Sequence, residues 1–296
     1  MVVDKPVGPT SHDVVDAVRR ALGERRVGHA GTLDPFASGV LPVCVGQATR
    51  LARFLTDGEK AYRARVRLGF ATDTDDLTGR PLSDPRPVEV ADAAVRAACA
   101  RLVGTLPQVP PAFSAKKVDG ERLYALARAG RAVPREAVIV TVHALDVVSR
   151  DADALELDVR CGAGTYVRAI ARDLGELLGT GAHLTALRRT RSGGFDERSA
   201  VPLDRVGDPA SLRPLDALLP EWPSVRVGAR GAEAIGFGRA LTRELTDVSW
   251  PDDAGHVRVL SDDGRLLAIA VPRGSAHPDP ALPVPASLHP EIVFAR

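Results

Sequence analysis

The sequence predicts a mixed α+β fold, on three observations. Strand and helix signals alternate along the chain without an internal repeat. Residues Lys60 to Leu68 keep a period of two, with Tyr62, Ala64, Val66 and Leu68 on one face and Arg63, Arg65 and Arg67 on the other. Residues Thr165 to Leu178 keep a helical period, with Val167, Ile170, Ala171, Leu174 and Leu178 on one side. The 296 residues, 45% of them hydrophobic and 26% charged, suffice for two domains of about 150 residues each with a sizeable core.

The elements follow in order. Apolar Val2-Val3 runs straight into Asp4-Lys5-Pro6, as expected of a first strand shortened at its start. A helix is predicted from Ser11, read as its N-cap, to near Gly23, with Val14, Val15, Val18 and Leu22 as its apolar stripe. Thr49 to Asp57 reads as a short helix before Gly58, followed by the Lys60–Leu68 strand with its triple-arginine outer face. Val88 to Val103 and Glu121 to Ala129 read as helices, and Ala137 to Val148 and Leu155 to Arg160 as strands. The stretch from Pro202 to Pro223, rich in proline and aspartate, reads as a linker, so the expected domains are 1–222 and 223–296. In the second, a helix around Ala232 to Leu241 precedes strands at His256 to Leu260 and Arg265 to Val271, joined as a hairpin by Asp262-Asp263-Gly264.

Composition sets several classes aside. Cys44, Cys99 and Cys161 are odd in number and form no CxxC pair, so neither a disulfide framework nor a structural zinc site is supported. No charged-then-apolar leader opens the chain and no apolar run approaches the ~20 residues of a membrane helix, so a cytoplasmic protein without membrane attachment is expected. The formal net charge of +1 hides an uneven distribution. From Met1 to Phe70 there are 11 Lys plus Arg against 7 Asp plus Glu, whereas from Glu221 to Arg296 there are 8 against 10. Near-neutrality therefore does not exclude nucleic acid; it predicts weak non-specific binding and a shallow salt slope.

Four segments carry candidate chemistry. In Gly28 to Gly39, GHAGTLDPFASG, three glycines and a proline mark a loop that lets backbone approach a ligand, and His29 and Asp34 lie within it. Pro35 biases Asp34 toward an extended backbone that presents its carboxylate; the alternative is an Asp bonded within its own turn. In Gly162 to Arg172, GAGTYVRAIAR, a glycine-rich turn enters a helix with Tyr166 and Arg168 in its first turn. An Arg there opposes the helix dipole unless it faces an anion, phosphate or carboxylate; otherwise it is a solvated side chain. In His183 to Arg191, HLTALRRTR, Leu184 and Leu187 stand beside Arg188, Arg189 and Arg191, a cluster suited to a nucleic-acid backbone or to a solvated face. Thr72 to Asp76, TDTDD, lacks the glycine and distal glutamate of a calcium loop and reads as a polar loop whose carboxylates pair with arginines.

Together these segments resemble the TruB family of tRNA pseudouridine synthases. The matching stretches are DKPVGPTSHDVV at Asp4, RRVGHAGTLDPFASGVLPVCVGQATR at Arg25, KAYRARVRLGFATDTDDLTG at Lys60, PPAFSAKKVDGERLYALAR at Pro110, GTYVRAIARDLG at Gly164 and LRRTRSGGF at Leu187. They keep family order and spacing and cover nearly all of the chain to about Phe195. The resemblance implies a catalytic domain with a mixed, mainly antiparallel sheet flanked by helices, an RNA-binding insertion around 108–135, and a small PUA-like carboxyl-terminal module. It implies that Asp34 is the nucleophile, attacking C1′ of the ribose or C6 of the base. By the same matching Tyr62 stacks on the flipped uracil near C5 and Arg168 pairs with Asp34. Tyr166 and Leu187 wall the pocket, and His29 holds the T loop open. Lys5 is carried over as a substrate-binding residue, and Arg188, Arg189, Arg191, Lys116 and Lys117 as contacts to the RNA backbone.

The implied substrate is the T stem-loop of tRNA, isomerised at the uridine numbered 55 by a stand-alone monomer with no protein partner. Isomerisation changes no redox state and hydrolyses no nucleotide, so neither cofactor nor metal is expected; no GxGxxG, P-loop or metal spacing occurs. Three rivals stay in view: an RNA-guided relative, a non-catalytic tRNA-binding or folding module, and a glycosidase. The last needs a second carboxylate as general acid, and none stands out beside Asp34 in the sequence.

Overall fold

A computed structural model describes residues 1–113, 117–118, 121–122, 135–248, 250, 254–273 and 287–294. It divides into two compact units, Met1–Val45 with Ala52–Asp208, and Gly46–Leu51 with Pro209–Arg296.

The first unit is built on a ten-stranded mixed sheet. Its strands are β1 (Val2–Lys5), β2 (Val27–His29), β3 (Ser38–Val45), β4 (Lys60–Leu68) and β5 (Gly104–Gln108). The short pair β6 (Lys117–Val118) and β7 (Glu121–Arg122) stands apart from it. The sheet continues with β8 (Val138–Arg150), β9 (Ala154–Cys161), β10 (Ala182–Ser192), β11 (Phe195–Asp196) and β12 (Val201–Pro202). The order is β12-β1-β3-β10-β4-β9-β8-β5, with β2 on β3 and β11 on β10. Only β1/β12 and β3/β10 run parallel; the remaining pairs are antiparallel, as expected. The β4 period of two is realised in full: Tyr62, Ala64, Val66 and Leu68 are buried. Arg63, Arg65 and Arg67 pair on the outer face with Asp158, Asp151 and Asp153.

Among the described residues this unit has four α-helices, α1 (Ser11–Leu22), the short α2 (Ala52–Thr56), α3 (Asp92–Arg101) and α4 (Val167–Leu178). The N-cap of α1 is Thr10, not the expected Ser11: Thr10 and Asp13 form a capping box. Ser11 is instead buried, its hydroxyl donating to the Leu33 carbonyl and accepting from the Leu33 N–H. Both α1 and α4 end on a left-handed glycine, Gly23 and Gly179. Val14, Val18, Ile170 and Leu174 fill one core with Leu41, Val66 and Leu184, each such side chain contributing about 1.5–3 kcal/mol on burial.

Other expectations are corrected. The helix expected at Glu121 begins as β7, and 123–129 lie outside the described residues. HLTALRRTR, to which no element was assigned from the sequence, lies in β10, and a register irregularity between Leu184 and Ala186 lets both leucines face the core. The expected linker belongs to both units. Val201–Pro202 pairs with β1 and Val206 enters the first core. Leu218 and Leu219 are buried in the second unit's part of the chain, where the Arg258 guanidinium binds the carbonyls of Asp216 and Pro220. The division therefore falls after Asp208 rather than at 222.

The second unit carries β13 (Ser224–Val227), β14 (Val257–Ser261), β15 (Leu266–Arg273) and β16 (Ser287–Val293) in one sheet, with α5 (Ala229–Gly236) packed against it. The expected hairpin joins β14 and β15, its Gly264 at φ 87°.

Candidate active site

The GHAGTLDP loop leaves β2 and returns into β3, and three buried side chains hold its backbone. The Ser11 hydroxyl binds Leu33 on both its N–H and C=O. The buried Lys5 ammonium donates to the carbonyls of Pro6, Pro35 and Ala37 at 2.8, 3.4 and 2.6 Å. The Arg189 guanidinium donates to Gly31 and Val40 at 3.0 and 2.7 Å. Gly39 lies against Arg189 so closely that an added Cβ would stand 2.2 Å from its carbonyl oxygen. A loop tied at so many points presents Asp34 in one place.

Asp34 stands at a cleft of about 240 Å³. Opposite it the first turn of α4 supplies Arg168, 5% exposed. Its Nε meets Asp34 Oδ2 at 2.9 Å and its Nη2 meets Oδ1 at 3.1 Å, a two-point fork. The remaining donors reach the Phe113 and Thr74 carbonyls and, at 3.4 Å, Asp76 Oδ2. The dipole-opposing Arg thus faces carboxylates, one of the anions its position called for. Burial pushes the Asp34 carboxyl above its ordinary 3.8, Arg168 and Lys5 pull it down, and Asp76 adds to the rise.

The cross-strand register completes the walls. On the antiparallel β4/β10 pair Tyr62 stands opposite Arg189 and Ala64 opposite Leu187, so Tyr62, Leu187 and Arg189 all line the cleft with Tyr166. Tyr166 is the N-cap of α4, its backbone N–H and C=O both held by the buried Gln108 amide at 2.8 and 3.2 Å. Burial pushes the Tyr62 phenol up and keeps it neutral.

The structure therefore brings together Asp34, Tyr62, Arg168, Tyr166 and Leu187. Lys5 does not join them as a contact surface: it is fully buried, its ammonium taken by carbonyls and lowered by desolvation to about 8. His29 lies on β2 opposite Val43, outside the cleft lining, with its Nδ1 buried and unpartnered among the described residues. Arg188 pairs with Asp4 and Glu197, and Arg191 with Glu59. Arg189, 1% exposed, is turned inward by the strand alternation, where it braces the loop and lines the cleft. Lys116 lies outside the described residues, as do the side chains of β6, Lys117 among them.

Two residues of the arrangement were missed. Gln108 left no signal, since nothing in a window around it points to a partner 58 residues away. Asp76 is a second carboxylate beside the Asp34–Arg168 pair, against the expectation that none stands there. It does not line the cleft, and its Oδ1 accepts from the Thr74 and Thr78 hydroxyls and the Thr78 N–H. The TDTDD loop pairs with arginines as read: Asp73 with Arg80, Asp75 with Arg172 and Asp76 with Arg168.

Comparison with known proteins agrees with this geometry. The model of the TruB family pseudouridylate synthase amino-terminal domain matches residues 19–167, and that of the tRNA pseudouridylate synthase B carboxyl-terminal domain matches 168–219. The second match covers α4 and β10 to β12 of the first unit, not the last four-stranded sheet. The chain is 46% identical over 289 residues to the tRNA pseudouridine synthase B of Thermobifida fusca (strain YX), covering 94% of this chain and 96% of the relative. It is 45% identical over 279 residues to that of Burkholderia mallei (strain NCTC 10247), covering 91% of each. Among solved structures it resembles a chain of a Cbf5-Nop10-Gar1 complex, with a TM-score of 0.75 and 26% identity over 99% of this chain and 84% of that one. A chain of an H/ACA RNP bound to a substrate RNA containing 2′-deoxyuridine shares the fold at a TM-score of 0.75 and 23% identity, over 100% of this chain and 85% of that one. The clamped aspartate, the walls of its cleft and the matched sequence converge, and the chain belongs to the TruB family of pseudouridylate synthases.

Proposed function

We propose that the protein acts alone on tRNA, isomerising the T-loop uridine numbered 55 to pseudouridine with Asp34 as nucleophile. The observation that carries this reading is the Asp34 carboxylate held in a two-point fork by Arg168 at the mouth of a cleft walled by Tyr62, Tyr166 and Leu187. The target base leaves its stack at a cost of a few kcal/mol and is received by these aromatic and apolar surfaces. Asp34 must be ionised to attack, and Arg168 opposes the burial that would protonate it. Attack at C1′ or at C6 requires the same ionised carboxylate. Asp34 bonds to C1′ or C6, the N1–C1′ bond breaks, the uracil turns, C5 bonds to C1′ as the bond to Asp34 is released, and the C5 proton leaves beside the Tyr62 oxygen while N1 takes up a proton. The neutral Tyr62 phenol suits stacking against an uncharged base. No atom is gained or lost between uridine and pseudouridine, so the route needs no cofactor.

The relatives at 45–46% identity are named for tRNA, which favours tRNA as substrate and a stand-alone enzyme over a multi-protein complex such as the Cbf5-Nop10-Gar1 one seen at 26%. Incubating the protein alone with unmodified tRNA and mapping pseudouridine by chemical modification and primer extension tests the reading. Signal at the T-loop uridine, lost in Asp34→Ala while tRNA binding persists, is expected. An unmodified tRNA in the absence of a guide RNA overturns the stand-alone assignment. Retained signal in Asp34→Ala overturns the nucleophile.

A further inference from the structure

One turn along α4 from Arg168, on the same face, stands Arg172. Its Nη1 meets Asp75 Oδ2 at 3.2 Å, with the two side chains only 17% and 11% exposed. Asp75 immediately precedes Asp76 and sits in the left-handed region at φ 61°, one of two non-glycine residues to do so among those described. Its backbone carbonyl accepts from the Leu184 N–H at 3.0 Å, which locks the turn onto β10. Neighbouring carboxylates thus use neighbouring arginines: Asp76 approaches Arg168 and Asp75 pairs with Arg172.

The partition matters because Arg168 is shared. Its guanidinium serves Asp34 through two nitrogens, while its third approaches Asp76 and already binds the carbonyl of Thr74, the residue before Asp75. Asp75 has Arg172 as its one ion-pair partner among the described residues. A buried carboxylate that loses its cation carries a large penalty and draws in the next available positive charge. After Arg172, the cation that most favours the charged form of Asp75 is Arg168, followed by Arg135, while Asp173 opposes it.

We propose that Arg172 is a positioning residue that neutralises Asp75 and so reserves Arg168 for Asp34. Without it, Asp75 competes for the guanidinium that orients the nucleophile, and the Asp34 fork opens. This rests on the reading of Asp34 as the nucleophile. It concerns the rate of isomerisation, not the binding of tRNA, since neither Arg172 nor Asp75 lines the cleft.

Rescue separates competition from simple loss of support. In single-turnover assays on unmodified tRNA, Arg172→Gln should slow pseudouridine formation at least tenfold with tRNA affinity within twofold of wild type. Arg172→Lys, which keeps the charge, should lose no more than threefold. The double variant D75N/R172Q should return to within threefold of wild type, because the competing carboxylate is gone and asparagine tolerates the left-handed backbone. A structural role for Arg172, through its bond to the Val109 carbonyl, would leave the double variant as slow as the single one, and that result overturns the proposal. Full activity in R172Q also overturns it. Should R172Q not fold, R172K and D75N/R172Q decide: both within threefold supports the proposal, and either one tenfold slower refutes it. A wild type that forms no pseudouridine defeats the Asp34 reading itself, whereas an active wild type with an unrescued double variant defeats only this inference.

Discussion

Arg168 holds both carboxylate oxygens of Asp34, at 2.9 and 3.1 Å, across 134 residues of chain. The loop that carries Asp34 and the helix that carries Arg168 are each anchored independently, the loop by Ser11, Lys5 and Arg189 and the helix start by Gln108. The fork is thus the meeting point of two rigid supports.

Replacing the fork by a point charge tests its geometry. Arg168→Lys keeps the cation but loses the paired bonds, which are worth about 1.5–3 kcal/mol for a charged group. The expected result is a fall of roughly 10- to 100-fold in single-turnover rate, with tRNA affinity nearly unchanged. Equal losses in rate and in affinity, measured by filter binding, would instead assign Arg168 to the RNA backbone.

The pH profile follows from the Asp34 shift. Burial raises its carboxyl above 3.8 against the pull of Arg168, and the proposed attack by Asp34 needs the ionised form. Activity is therefore lost as pH falls through a value above the ordinary Asp range, with one proton bound. Arg168→Met removes the opposing pull, so the acid limb of its residual activity moves to higher pH. An acid limb that stays in place would separate Asp34 ionisation from Arg168.

Ser11 is a support whose loss should be felt at a distance. Ser11→Ala leaves the buried Leu33 N–H and C=O without their partner, a cost of about 1–3 kcal/mol. Because Leu33 adjoins Asp34, the rate should fall with little change in tRNA affinity. Urea unfolding and single-turnover kinetics on the same variant measure both effects.

Two glycines give a contrast in stability. At Gly39, φ is +101° and a Cβ would lie 2.2 Å from the Arg189 carbonyl oxygen, so Gly39→Ala combines backbone strain with a clash, each of about 1–3 kcal/mol. At Gly23, φ is +65° with nothing within 4 Å, and Gly23→Ala should cost only about 1–2 kcal/mol. Thermal melts should rank Gly39→Ala well below Gly23→Ala.

Much of this was legible along the chain. The alternation in Lys60–Leu68 appears unaltered as β4, and the stripe of Thr165–Leu178 as α4, because both periods are written in short windows. Asp34, Tyr62 and Arg168 could be singled out from their motifs. What misled was local likeness: Ser11 is as good an N-cap type as Thr10, yet Thr10 with Asp13 closes the capping box and releases Ser11 to hold Leu33. The run LRRTR gave no sign that Arg189 would turn inward while Arg188 and Arg191 found surface carboxylates. Lys5, expected among the substrate-binding residues, is a buried brace of the loop.

By itself, then, the sequence determined the α+β class, the main elements and the motifs that carry Asp34, Tyr62 and Arg168, since propensity, hydrophobic period and motif are all written over a few residues. Only the tertiary structure decided which charges meet. The sharing of Arg168 between Asp34 and Asp76, the pairing of Arg172 with Asp75 and the inward turn of Arg189 all join segments far apart in the chain. Their partners are chosen by strand register and helix packing, and burial then turns each choice from a weak surface attraction into a strong constraint.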